Sequence, residues 1–186
     1  INVAAVNDAM TKLMRVPTVV HGAIMPDACP AGEIPVGGVV AARDAIHPGW
    51  HSADICCSMA ITVLGDVDPA LVLDFAMGAT HFGYGGRANA IPMPVAIERD
   101  IMANSYLEPL SCIAHRDFAS QGDGNHFLFV GRLKSTGETA IVTHHGSRGL
   151  GAGLYKKGMR TAEKYRQELS PQTPKGSAWI PASSKD

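Results

Sequence analysis

The sequence predicts an α+β fold of mixed sheets with packed helices. Three observations support this. Short β-branched runs and helical stretches follow one another without the regular strand–helix–strand order of a doubly wound sheet. Hydrophobic residues make up 46% of the 186, which suits a packed core and excludes a disordered chain. Sixteen Lys+Arg against seventeen Asp+Glu leave a net charge of −1, which excludes a strongly basic nucleic-acid coat and an acidic tail. At this length one domain over residues 1–186 is expected.

The elements follow in order. Val3, Ala4, Val6, Met10, Leu13 and Met14 have helical spacing over 3–14. Thr18-Val19-Val20 is β-branched and reads as a strand that gives way to a loop at 21–26. Residues 34–42 are apolar with a glycine pair, which predicts a buried strand. Residues 59–65 predict another strand, and Asp68-Pro69 opens a helix through about Met77. The glycine-rich stretch 80–91 reads as a loop, and 94–105 as a helix. The apolar runs 127–130 and 140–143, separated by Thr136-Gly137-Glu138, predict a hairpin. Leu150 to Leu169 reads as a helix that stops at Ser170-Pro171.

No run of eighteen apolar residues is present, so no transmembrane helix is expected. No cationic segment precedes a long apolar stretch at the N-terminus, so no signal peptide is expected. The four cysteines (Cys29, Cys56, Cys57 and Cys112) then read as thiols in a reducing, cytoplasmic setting. The start at Ile1 and the polar end after Ala178-Trp179-Ile180 read as those of a fragment.

Eight histidines are unevenly spread. A lone histidine is more often an ordinary core or surface residue than a ligand, and His21, His47, His51, His81 and His115 are read so first. Three clusters differ: His47 to Met59, Gly122 to Phe127, and Thr143 to Gly149. They combine thiol, imidazole and carboxylate with glycine-rich turns, the parts of a transition-metal site. Asp54 and Cys57 stand three apart, which puts both side chains on one side of a turn. His126 lies 69 residues beyond Cys57, and His144 another 18. Ligands so far apart need a fold to assemble them, unlike a zinc finger, and no CxxC pair is present. Gly146-Ser147-Arg148-Gly149-Leu150-Gly151 leads into the last helix and offers backbone N–H groups and a guanidinium to a phosphate, or forms an ordinary loop. It lacks the Gly-Lys-Ser/Thr ending of a Walker loop.

Five stretches in order resemble the RtcB family of RNA-splicing ligases: Met25-Pro26-Asp27, Pro35-Val36-Gly37-Gly38, Asp54-Ile55-Cys56-Cys57-Ser58-Met59, Gly124-Asn125-His126-Phe127, and His144-His145-Gly146-Ser147-Arg148-Gly149. The resemblance implies an RtcB-like α+β fold, incomplete here. It implies an enzyme that joins RNA 2′,3′-cyclic phosphate or 3′-phosphate ends to 5′-hydroxyl ends, in RNA repair or tRNA splicing. The implied cofactors are two manganese ions and GTP, through a guanylylated histidine. A protein activator is a further implied partner. Asp54, Cys57, His126 and His144 match metal ligands, with the Cys57 thiolate bridging two ions. Asn125 matches a nucleotide contact, and Ser147 and Arg148 fall near phosphate. Nothing after His145 is a histidine, so the guanylylated residue is not in these 186 residues, and no catalytic residue is assigned within them. Cys56, Ser58, Cys29 and His145 depart from the family's pattern. Two other readings stand beside this one: a metal-dependent phosphoesterase with the same ligands, and a non-catalytic metal- or RNA-binding module.

Overall fold

The computed structural model describes residues 3–51, 53–55 and 57–185. Strands and helices mix in the α+β manner that the sequence predicts. The chain divides into two compact units: residues 1–53 with 155–186, and residues 54–154.

In the first unit, α1 (Val3–Leu13) buries Val6, Met10 and Leu13 as one stripe, while Val3, Ala4 and Met14 of the expected apolar set are exposed. That stripe packs on Ala28, Ile34, Val40 and Trp50. β1 (Val19–Cys29) and β2 (Val36–Ala42) form an antiparallel ribbon. Two expectations are corrected here. The loop expected at 21–26 is strand, because β2 pairs with His21, Gly22, Ala23 and Ile24. Pro26, which has no N–H to give, falls in the irregular stretch between Ile24 and Cys29 where the register shifts. The buried strand expected at 34–42 is half-exposed, since a two-stranded ribbon offers only one face for α1 to cover.

β3 (Ala45–Ile46) pairs with β7 (Ile180–Pro181), beside the later part of the long helix α5 (Arg148–Leu169). Ala162 of α5 packs with Ala178, Ile180 and Tyr165. Arg166 closes the helix end. Its guanidinium holds Glu163 at 2.7 Å and donates to the Pro171 and Thr173 carbonyls. Between these parts lies His47, only 3% exposed. Its Nδ1–H donates to the Ser177 carbonyl at 3.0 Å, which leaves Nε2 to accept from the Thr18 hydroxyl at 2.8 Å. The ring stacks on Trp50 with centroids 3.6 Å apart and leans on Trp179.

The second unit is built on an antiparallel three-stranded sheet, ordered β4 (Ser58–Gly65), β6 (Thr139–His145), β5 (Phe127–Arg132). β5 and β6 form the expected hairpin. Its turn returns through Gly137 at φ 77°, a conformation that favours glycine. α2 (Pro69–Ala79) starts as its sequence dictates, with Asp68 accepting from the Ala70 N–H at 3.0 Å and Pro69 in the first turn. α3 (Val95–Ala103) matches the expected helix at 94–105. α4 (Ser111–Asp117), absent from the sequence reading, is too short to show periodicity.

His47 is held neutral. Burial lowers its pKa to about 4, against the pull of its bond to the Ser177 carbonyl. Unfolding restores an ordinary imidazole, which takes up a proton below about 6.5 while the folded ring does not. Stability therefore falls as pH drops from 6.5 to 4, by up to about 3 kcal/mol for a shift of this size. The urea midpoint followed by the fluorescence of the two tryptophans should drop across that window, and His47→Gln should flatten the slope. An equal slope in both proteins would contradict the assignment.

Candidate metal centre

The site lies wholly in the second unit. β6 is the central strand, and register puts His144 opposite Met59 of β4 and Phe127 of β5. His126 is the residue before β5. It is reached through Gly122 and Gly124, at φ 100° and 71°. Gly122 has a second constraint: a Cβ there would lie 2.4 Å from His126 Nδ1. Asp54 and Cys57 stand on the segment that leads into β4. Three sequence-distant segments thus deliver their side chains to one end of the sheet.

Asp54 is the hub. Its Oδ1 accepts from the Ser147 N–H at 2.7 Å and the Ser147 hydroxyl at 2.8 Å. Its Oδ2 accepts from His126 Nε2 at 2.7 Å and from the Cys57 thiol at 3.3 Å. Burial raises the Asp54 pKa, but the donors from Ser147, Cys57 and His126 together outweigh it and hold the carboxyl at about 2. Cys57 Sγ is 3.9 Å from His126 Nε2. One nitrogen each of His126 and His144 and the Cys57 sulfur lie within 4.8 Å of one another, a group able to hold a metal ion. The two imidazoles meet edge to face at 5.4 Å.

The donor set fits a transition metal. Bond lengths of about 2.0 Å to nitrogen or oxygen and 2.3 Å to sulfur put neighbouring ligands of a tetrahedral ion about 3.3–3.8 Å apart. The Cys57–His126 separation is already close to that. Asp54 and His126 stand at hydrogen-bond distance, so ligation by both requires them to part by well under 1 Å. His126 Nδ1 is buried with no hydrogen-bond partner among the described residues, an unusual state for an imidazole whose other nitrogen is in the cluster.

A polar shell surrounds the centre. Arg148, at φ 57°, sends Nε to the Ser120 hydroxyl at 3.0 Å and Nη2 to the Gly83 and Gly85 carbonyls. Asp117 is 4% exposed and accepts from the Gly149 N–H at 2.9 Å and from Arg116 at 2.6 Å. The Arg116 guanidinium beside it is the largest cause of a lowered Asp117 pKa. The glycine-rich segment 146–151 is thus tied at Ser147 to Asp54, at Arg148 to Ser120, Gly83 and Gly85, and at Gly149 to Asp117.

All four expected ligands (Asp54, Cys57, His126 and His144) meet here, with Asp54 to one side on His126 and Cys57. Ser147 belongs to the same cluster through Asp54. Arg148 holds the Gly83–Gly85 loop. Asn125 is exposed beside His126. Cys56 lies outside the described residues, and Cys29 is an exposed thiol of the first unit. Asp117 and Ser120 were not legible beforehand, because an aspartate at the end of a seven-residue helix carries no sequence signal of burial. No family model and no curated protein matches the chain.

Gly146 tests the packing. A Cβ there would meet Asp54 Oδ2 at 2.4 Å and His126 Cε1 at 2.5 Å. Gly146→Ala should weaken zinc or manganese binding at least about tenfold, a loss of about 1.4 kcal/mol. Gly137→Ala, with open space around its Cβ, should lose stability from its φ of 77° but keep its metal affinity. Equal affinities in Gly146→Ala and wild type, by calorimetric titration, would contradict this geometry.

Proposed function

We propose that this centre serves phosphoryl transfer to RNA ends, of the kind the RtcB ligases carry out, with manganese and GTP. The observation that supports the reading is the convergence of Asp54, Cys57, His126 and His144. They are the positions at which the sequence resembles the family's metal-binding motifs. Bound manganese would neutralise phosphate charge and stabilise attacking and leaving oxygens.

The chain's own residues have defined tasks in this reading. Ser147 fixes the Asp54 carboxylate with two hydrogen bonds, so its free-standing rotamers are lost before any ligand arrives. Asp54 in turn orients His126 through Nε2. Cys57, whose thiol donates to Asp54, would give up that proton to hold the metal as a thiolate. Asn125, exposed beside His126, would donate to a nucleotide in this reading. Arg148 positions the loop at 83–85 and orders the start of α5. No histidine follows His145, so this reading assigns no guanylylated histidine within these 186 residues. That same observation favours a second reading: the ligands present suffice for a metal-dependent phosphoesterase, which needs no histidine nucleophile.

The test compares an oligoribonucleotide ending in a 3′-phosphate with the same strand ending in a 3′-hydroxyl. With manganese the phosphate form should bind at least about tenfold tighter. Asp54→Asn should abolish the difference. The chain alone should transfer no GMP from labelled GTP to itself. Release of inorganic phosphate from the strand without GTP would replace this reading with the phosphoesterase. Equal affinity for both strands would remove both.

A further inference from the structure

Asp117 ends α4 as a buried carboxylate that the phosphoryl-transfer reading does not use. A carboxylate leaves water at a cost that only well-placed partners offset. Arg116 supplies one from the solvent side. Its Nε donates to Oδ1 at 2.6 Å and its Nη2 to Oδ2 at 3.1 Å, while the arginine side chain stays largely exposed. The second partner comes from another element. Oδ2 also accepts from the N–H of Gly149, in the first turn of α5, at 2.9 Å. The fit there is close. A Cβ on Gly149 would lie 2.4 Å from Asp117 Oδ2 and 2.5 Å from Ile113 Cγ2, so the start of α5 is pressed against α4.

The same end of α4 also takes hold of the preceding residue. The Ser120 hydroxyl donates to the Asp117 carbonyl, and its oxygen accepts from Arg148 Nε at 3.0 Å. Arg148 has φ 57°, a conformation that a non-glycine residue keeps only where its surroundings determine it. On the other side of Arg148 stands Ser147, whose N–H and hydroxyl reach Asp54 at 2.7 and 2.8 Å. One residue therefore separates the amide that Asp117 holds from the residue that holds Asp54. A displacement of Gly149 moves Ser147 with it, and about 1 Å is enough to lose hydrogen bonds of this length.

We propose that Asp117 is a positioning residue of the metal centre, holding Gly149 so that Ser147 meets Asp54. It acts through Ser147 and Asp54 on the group formed by Cys57, His126 and His144. The proposal rests on that group as a metal centre and not on which phosphate or strand the centre serves.

The experiment titrates the full 186-residue chain with zinc by calorimetry and measures the urea midpoint of the same samples. Asp117→Leu keeps the side chain's bulk and removes the acceptor. It should weaken zinc at least about tenfold. Asp117→Asn keeps an oxygen for the Gly149 N–H and should stay within about threefold of wild type. Arg116→Leu removes the charge partner and leaves the Gly149 contact. It should lower the urea midpoint with zinc affinity unchanged, which separates positioning from stability. Ser147→Ala should cost as much as Asp117→Leu, and the double variant should bind no more weakly than either alone. Gly149→Ala approaches the same contact from the other side and should weaken zinc as Asp117→Leu does, so the test survives if Asp117→Leu does not fold. Zinc affinity unchanged in Asp117→Leu or in Gly149→Ala would overturn the proposal alone, and so would losses that multiply in the double variant. A tenfold loss in Arg116→Leu would overturn it too, by making the charge pair rather than the backbone contact decisive. A wild-type chain that binds no zinc would remove the centre and the proposal with it.

Discussion

The carboxylate of Asp54 is the interaction on which the second unit's chemistry depends. It accepts from the Ser147 N–H and hydroxyl, the His126 imidazole and the neighbouring Cys57 thiol. Each of these bonds is individually modest, about 1–3 kcal/mol when one partner is charged. Together they fix the segment before β4 against the turn after β6 and the residue before β5. The carboxyl titrates at about 2 because donors outnumber the cost of its partial burial. A group so held is ionised throughout the neutral range and is ready to face a cation.

Glycine makes that closeness possible. Gly122 and Gly146 stand where any Cβ would strike His126 or Asp54, and Gly151 where it would strike Ser147. The segment 146–151 is therefore glycine-rich for two reasons. The backbone must come near the cluster, and the N–H of Gly149, in the first turn of α5, must reach the Asp117 carboxylate. The left-handed φ of Arg148 costs about 1–2 kcal/mol for a non-glycine residue, and its three hydrogen bonds to Ser120, Gly83 and Gly85 oppose that cost.

Much of this was legible in the sequence, and the reasons are physical. α1, α2, β4 and the β5–β6 hairpin announce themselves through periodicity, a capping aspartate followed by proline, and paired β-branched runs. The ligand types marked three clusters that only a fold could assemble, and the resemblance to the RtcB motifs singled out Asp54, Cys57, His126 and His144 within them. What escaped was tertiary. The extension of β1 through Pro26 depends on a partner strand, and the exposure of β2 depends on how many layers cover it. The burial of Asp117 depends on an arginine next to it and a helix N–H 32 residues away. His47 shows the opposite case. It sits in a histidine-rich stretch that resembles a ligand cluster, yet its two nitrogens are used by Thr18 and Ser177 and its ring by tryptophan stacking.

Cys57, His126 and His144 form a group able to hold one transition-metal ion, with Asp54 beside them. A titration of the chain with zinc and manganese, in parallel with Cys57→Ala, tests it most directly. Saturable binding that the substitution weakens by a hundredfold or more, about 2.7 kcal/mol, is the predicted result. Equal stoichiometry and affinity in the two proteins would show that the thiol is no ligand and would contradict the account.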